Sequence, residues 1–244
     1  GAGRVKFLKR KIRCAAACLL LGFTVCPCFA QGVHEKYLAL TFDDGPSGQF
    51  TRRLLEGLES RQAQVTFFLC GYRMEQYPDL AGEMVAAGHE IGLHGYSHSC
   101  MSCMEEEMLE QELSRTEDLL WEQTGVQSSL LRPPGGKAGR TVVQAAEEHG
   151  LSLITWSVDP KDWSTHEQAR IVSRVVEQAK DGDIILLHDM SNSSVHAALE
   201  IIDRLEQEGY QFVTVSELAR LRGRAMEAGS LYTNFRPAFE VDVG

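Results

Sequence analysis

The 244-residue chain is 43% hydrophobic and 24% charged, the proportions of an ordinary globular protein, which exclude a disordered, collagen-like or coiled-coil chain. Its length suits one large domain or two small ones. Acidic residues outnumber basic ones by 34 to 24, which excludes the basic face that a nucleic-acid binder needs.

Residues 1–30 read as a leader and not as part of the fold. Six basic residues and no acidic one lie between Arg4 and Arg13, an apolar run follows from Cys14 to Val25, and Cys28-Phe29-Ala30 offers a small-x-small site. This is the pattern of a secretory signal peptide cut after Ala30, with an uncleaved membrane anchor as the competing reading. Either one places the rest of the chain outside the cytosol, secreted or held on the cell-wall side of the membrane. Losing the six basic residues of the leader, and none of the 34 acidic ones, leaves a net charge of −16. Binding to an anionic wall polymer must then come from a groove and not from bulk attraction. Three cysteines remain, Cys70, Cys100 and Cys103. An odd number makes no complete disulfide framework. Cys100-x-x-Cys103 lacks the second pair of a zinc site, and is read as two buried or half-buried thiols, a local disulfide being the alternative.

From Lys36 onward short β-prone runs alternate with helical patterns. Tyr37–Phe42 is a strand halted by Asp-Asp-Gly-Pro, and Phe50, Leu54, Leu55 and Leu58 then mark one helix face. Val65–Leu69 is a second strand, followed by a helix through Leu80, Met84 and Val85 that Gly88 ends. His89–Leu93 is the third, and a long helix carries Met108, Leu109, Leu113 and Leu120. Ser129–Leu131, Leu151–Ser157, Asp183–Leu187 and Tyr210–Phe212 are further strands, with helices expected near 140–149, 166–180, 195–208 and 215–221. About seven βα units without linker or repeat predict one domain over residues 36–223, α/β in class, with a parallel sheet closed into a barrel or near-barrel. Residues 224–244 have no clear period and are expected to run along the surface as a tail.

The residues suited to chemistry follow the strands, where parallel α/β folds place their sites. Thr41-Phe-Asp43-Asp44-Gly-Pro sets two carboxylates in one tight turn, pointing apart, so that one can bind a metal while the other handles protons. Read alone it is also ordinary turn chemistry. His94-Gly-Tyr-Ser-His98 follows the third strand, and two imidazoles at this spacing, with Asp44 available, make an open site for a zinc-like ion. Arg132-Pro-Pro134-Gly135-Gly136 is a stiff turn able to present a backbone N–H to an oxyanion. Leu186-Leu187-His188 ends an apolar strand with a histidine that can protonate a leaving group, although a single such histidine is usually structural.

With Asp159-Pro-Lys-Asp162-Trp163, these segments resemble the five motifs of the carbohydrate esterase family 4 polysaccharide deacetylases, the NodB-homology family, in order and spacing from about Lys36 to Gly223. The resemblance implies a distorted (β/α)7 barrel and metal-dependent hydrolysis of N-acetyl groups. By motif, Asp43 is the expected general base, and Asp44, His94 and His98 the metal ligands. Arg132 is expected to orient Asp43 and to be held in turn by Asp162. Trp163 and Leu186 would line the pocket for the acetyl methyl, with Pro134 and Gly135 at the substrate and the Gly135 N–H at the oxyanion. His188 would be the general acid. Zinc is the expected metal, with cobalt or nickel as alternatives. The expected substrate is a cell-wall glycan, peptidoglycan N-acetylglucosamine before N-acetylmuramic acid, and a monomer is expected. Chito-oligosaccharides and O-acetyl-xylan are the alternative substrates, and a catalytically silent glycan-binding module is the alternative from outside enzymes.

Two positions depart from the family pattern. Gly95 stands where Ser or Thr is usual, which removes a hydroxyl expected to brace the metal loop. Gly135 stands where Tyr is common, which removes an aromatic groove wall. The remaining histidines, His34, His89, His149, His166 and His196, are read as surface or structural.

Overall fold

The computed structural model describes residues 35–61 and 63–238. The expected leader at 1–30 lies outside them. The described residues form eight strands: β1 (Lys36–Asp43), β2 (Thr66–Leu69), β3 (Glu90–Leu93), β4 (Leu130–Leu131), β5 (Ser152–Ile154), β6 (Ile184–His188), β7 (Tyr210–Phe212) and β8 (Leu231–Tyr232). The strand pairings are all parallel, in the order β6-β1-β2-β3-β4-β5-β8, with β7 added beside the start of β1. Among the described residues eight α-helices connect or follow them: α1 (Gln49–Glu59), α2 (Gly71–Gln76), α3 (Leu80–Ala86), α4 (Glu106–Thr124), α5 (Arg140–Glu148), α6 (Gln168–Gln178), α7 (Asn192–Gln207) and α8 (Val215–Leu221). This is the expected distorted (β/α)7 barrel. The seam between β5 and β6 is bridged just past β5, where Val158 pairs with Ile185.

Period-two alternation divides the strand residues between two cores. Leu38, Leu40 and Phe42 of β1 face outward and pack with Leu54, Leu58, Ile201 and Leu205 from the helix layer. Tyr37 and Ala39 face inward with Phe68, Leu130, Ile154 and Ile184, and Val215, Leu218 and Ala219 of α8 join that inner cluster. The same alternation puts Thr41 and Asp43 on the inner face, at the end where β1 stops. Register completes the placement, since Asp43 lies beside His188 on β6 and beside Phe68 on β2.

Three expectations change. A short helix, α2, begins at Gly71 directly after β2, where the sequence shows no apolar period. Cys100 and Cys103 are joined in a disulfide and are not two thiols; the 3₁₀ turn Met101–Cys103 brings their Cα atoms to 5.4 Å, a spacing that suits the bridge. The third change concerns the tail. Residues after Gly223 do not simply lie along the surface, because Leu231–Tyr232 pairs with Leu153–Ile154 as β8, and Phe235 is only 1% exposed within the inner core. The Phe235 N–H donates to Gly182 O at 2.7 Å, and Arg236 Nε reaches Asp183 Oδ1 at 2.6 Å. Removing a buried phenylalanine ring costs about 3 kcal/mol or more through lost burial and the cavity it leaves. Phe235→Ala is therefore expected to lower the melting temperature by roughly 10 °C, read by calorimetry. An unchanged transition would show that the tail lies outside the cooperative unit.

Candidate active site

The carboxyl ends of β1, β3, β4, β6 and the segment after β5 meet at one mouth of about 350 Å³, lined by Asp43, Asp44, His94, His98, Gly135, Trp156, Asp159, Trp163, Leu186 and His188. Asp44 leaves the strand with φ 71°, in the left-handed region, which turns its carboxylate away from that of Asp43. Adjacent residues thus face different partners.

Asp43 is 3% exposed and its Oδ1 accepts from Arg132 Nη1 at 2.7 Å. Arg132 is fully buried, and every contact holds its plane. Nη1 also donates to Thr41 Oγ1 at 2.8 Å, Nε to Ile154 O at 3.1 Å and Nη2 to Thr155 O at 2.8 Å, while the guanidinium lies 4.0 Å over the Phe68 ring. Burial pulls the Arg132 pKa below its ordinary value, and the Asp43 charge opposes that shift. The expected contact between Asp162 and Arg132 is not made. Arg132 spends its remaining donors on the carbonyls at the end of β5, and the 3₁₀ turn Asp162–Ser164 carries Asp162 to β6 instead. There Asp162 Oδ1 meets His188 Nδ1 at 2.8 Å, and Oδ2 accepts the His188 backbone N–H at 2.9 Å.

That carboxylate decides the state of His188. Burial pulls the imidazole pKa down, but the Asp162 hydrogen bond and charge, joined by Asp43 and Asp44, outweigh it and push the value up to about 9. His188 is cationic at neutral pH, with Nε2 turned to the mouth 3.9 Å from Asp44 Oδ2.

Asp44, His94 and His98 bring one oxygen and two ring nitrogens within 4.8 Å of one another. The Nδ1–H of His94 is committed to Arg132 O at 2.6 Å, which leaves the lone pair of Nε2 facing Asp44 Oδ1 at 3.2 Å. His98 Nε2 lies 2.9 Å from the same oxygen. Despite these short approaches, Asp44 Oδ1 is a buried oxygen with no well-aligned hydrogen bond among the described residues. Burial pushes the Asp44 carboxyl up, but the adjoining imidazoles of His94 and His98, with His188 beyond, prevail and hold it below the ordinary carboxylate range. An oxygen and two imidazole lone pairs converging without proper hydrogen bonds fit a divalent cation of the zinc, cobalt or nickel kind, with one side of the set open to the mouth.

Other expected residues are distributed as follows. Leu186 is 4% exposed and Trp163 67% exposed, and both line the mouth. Gly135 lines it too, with φ 69°, and a β-carbon there would project into open space, so the missing aromatic leaves that wall absent. Pro134 is half-buried in the same turn and is not among the lining residues. Trp156 was not expected at the site, and Thr41 and Asp159 belong to the motifs but had no role assigned. Thr41 was readable from its shared face with Asp43, but nothing in the sequence marks Trp156. Among the other histidines, burial pulls His89 down to about 4, and His149 is held between Glu110 and Glu117 at 2.7 and 2.8 Å.

A buried carboxylate and an imidazole held by a second carboxylate lie side by side on neighbouring strands next to an Asp-His-His cluster, an arrangement suited to hydrolysis. A family model described as polysaccharide deacetylase matches residues 30–154. The chain belongs to this family, the carbohydrate esterase family 4 deacetylases. A peptidoglycan-N-acetylglucosamine deacetylase of Bacillus cereus is 39% identical over 78% of this chain and 91% of its own. The peptidoglycan-N-acetylmuramic acid deacetylase PdaC of Bacillus subtilis is 35% identical over 78% of this chain; its solved structure superposes with a TM-score of 0.75 over 93% of the crystallised chain. This chain spans only 40% of full-length PdaC. A family 4 acetyl xylan esterase from Clostridium thermocellum, solved with a cobalt ion, is 30% identical with a TM-score of 0.76, over 82% of this chain and 98% of that one.

Proposed function

We propose that the protein removes N-acetyl groups from a cell-wall glycan, with peptidoglycan N-acetylglucosamine as the preferred sugar, using a divalent metal held by Asp44, His94 and His98. The observation that carries this reading is the division of labour at the mouth. A carboxylate locked to Arg132 and an imidazole held by Asp162 lie on neighbouring strands, each within 4 Å of a member of the Asp-His-His cluster. When bound, the metal supplies Lewis-acid polarisation of the acetyl carbonyl and acidifies water. Zinc is the proposed ion.

Asp43, fixed in direction by Arg132, accepts a proton from the attacking water at Oδ2. The Gly135 backbone N–H is the proposed donor to the developing oxyanion. His188 then gives its Nε2 proton to the departing amine, and Asp162 stabilises the cation until it does. Leu186 and Trp163 enclose the acetyl methyl and keep water from the scissile bond. The products are acetate and a free amino sugar. The names of the relatives support a wall-side location, as does the basic-then-apolar leader. Among the described residues no helix is long and apolar enough to cross a membrane.

The test is acetate release from peptidoglycan and from N-acetylated chito-oligosaccharides, after chelation and again with zinc, cobalt or nickel restored. Chelation is expected to abolish release and metal to restore it, with the faster rate on peptidoglycan. Release that survives complete chelation overturns the metal assignment, and a faster rate on the chito-oligosaccharides overturns the choice of polymer.

A further inference from the structure

The metal reading leaves one difficulty, the glycine at position 95. The loop from His94 to His98 has left-handed backbone at both Gly95 (φ 80°) and His98 (φ 61°), and a non-glycine residue holds that region only where its surroundings fix it. The peptides between them are fixed from two sides. Their carbonyls point into the start of α2, with the Gly71 N–H on Gly95 O at 2.9 Å and the Tyr72 N–H on Tyr96 O at 3.0 Å. Their N–H groups point the other way, into α4. A single oxygen there, Glu112 Oε2, accepts from Tyr96 N at 2.7 Å and from Ser97 N at 2.8 Å. A β-carbon on Gly95 would lie 3.1 Å from that oxygen and 2.6 Å from Met101 Cε. The Glu112 carboxylate and the buried Met101 side chain thus occupy the space a side chain at 95 would take.

We infer that Glu112 is the positioning residue of the metal loop in this protein: its carboxylate, 3.1 Å from where a residue-95 β-carbon would lie, fixes the Tyr96 and Ser97 peptides and thereby the direction of His98. This inference rests on the assignment of Asp44, His94 and His98 as metal ligands. Glu112 touches neither the metal ligands' nitrogens nor substrate, and acts only through the backbone. Both accepted bonds end on one oxygen, so an amide with its oxygen in the same place preserves them and a methyl does not.

The experiment is titration of the metal-free protein with cobalt, followed by its visible absorption, in wild type, Glu112→Ala, Glu112→Gln and Asp44→Asn. Loss of a group that orients a ligand costs roughly 10- to 100-fold in metal affinity. Glu112→Ala is expected to bind cobalt about 30-fold more weakly with an altered visible band. Glu112→Gln is expected to bind within about threefold of wild type with the wild-type band, and Asp44→Asn to lose the site. Wild-type affinity and spectrum in Glu112→Ala overturn the inference, as does a Glu112→Gln protein as weak as Glu112→Ala, which would make charge and not the accepted bonds the cause. A wild-type protein that binds no cobalt overturns the metal assignment itself. Melting curves of the metal-free variants separate a weakened loop from a weakened fold.

Discussion

Asp43→Asn is expected to lower kcat by about 10³-fold while cobalt or zinc still binds, because the amide cannot take the proton that the reaction must lose. The substitution also has an expected effect on stability. Asn keeps an oxygen for Arg132 Nη1, but the fully buried guanidinium loses its counter-charge. An uncompensated buried charge destabilises a fold by a few kcal/mol, so a lower melting temperature accompanies the kinetic loss. The decisive pair of measurements is turnover and metal content on the same folded sample. Wild-type turnover would remove Asp43 from its assigned role, and loss of metal would move it to the ligand set.

The second large effect is expected at Asp162. Since it holds His188 cationic, wild-type activity should persist through neutral pH and fall as pH rises through about 9, where His188 loses its proton. Asp162→Asn removes the charge and leaves the Nδ1–H and the backbone N–H of His188 competing for one amide oxygen. The alkaline limb of the kcat profile should then move toward the ordinary histidine value of 6.5, with kcat at pH 8 falling by about 30-fold as the protonated fraction drops. The linkage has a definite sign. The folded-state pKa is raised, so the stability contributed by the His188–Asp162 pair is complete below 6.5 and is lost as pH rises through about 9. A profile that stays in place in Asp162→Asn would mean that another group sets the limb.

Much of this site is legible in the sequence. Asp43, Asp44, His94 and His188 sit directly at strand ends, with His98 four residues on from His94, and strands that stop at strong turn signals announce where their last side chains point. Register then does the rest, because neighbouring parallel strands set Asp43 beside His188 without any sequence proximity. The partner of Asp162 was not legible. Motif order brings Asp162 and Arg132 to the same mouth, but only the path of the 3₁₀ turn decides which of two cations it meets. Glu112 was hidden for a different reason: α4 opens with a run of glutamates on a mostly exposed face, and one that turns inward looks like its solvated neighbours. Strand β8 was missed because two residues carry no period, and Leu231 is half exposed.

That late strand bears on the order in which the molecule can be completed. A chain emerging from its amino end presents β1 through β6, with every residue of the Asp-His-His cluster and both proton carriers, before Leu231–Tyr232 and Phe235 have appeared. Until then the Leu153–Ile154 edge has no partner on that side, and the inner core lacks a ring beside Ile184. An unpaired edge of apolar strand is the kind of surface that other chains add to. The interval between the exit of Ile154 and that of Phe235, some eighty residues, is therefore when this protein most needs shielding from its own copies.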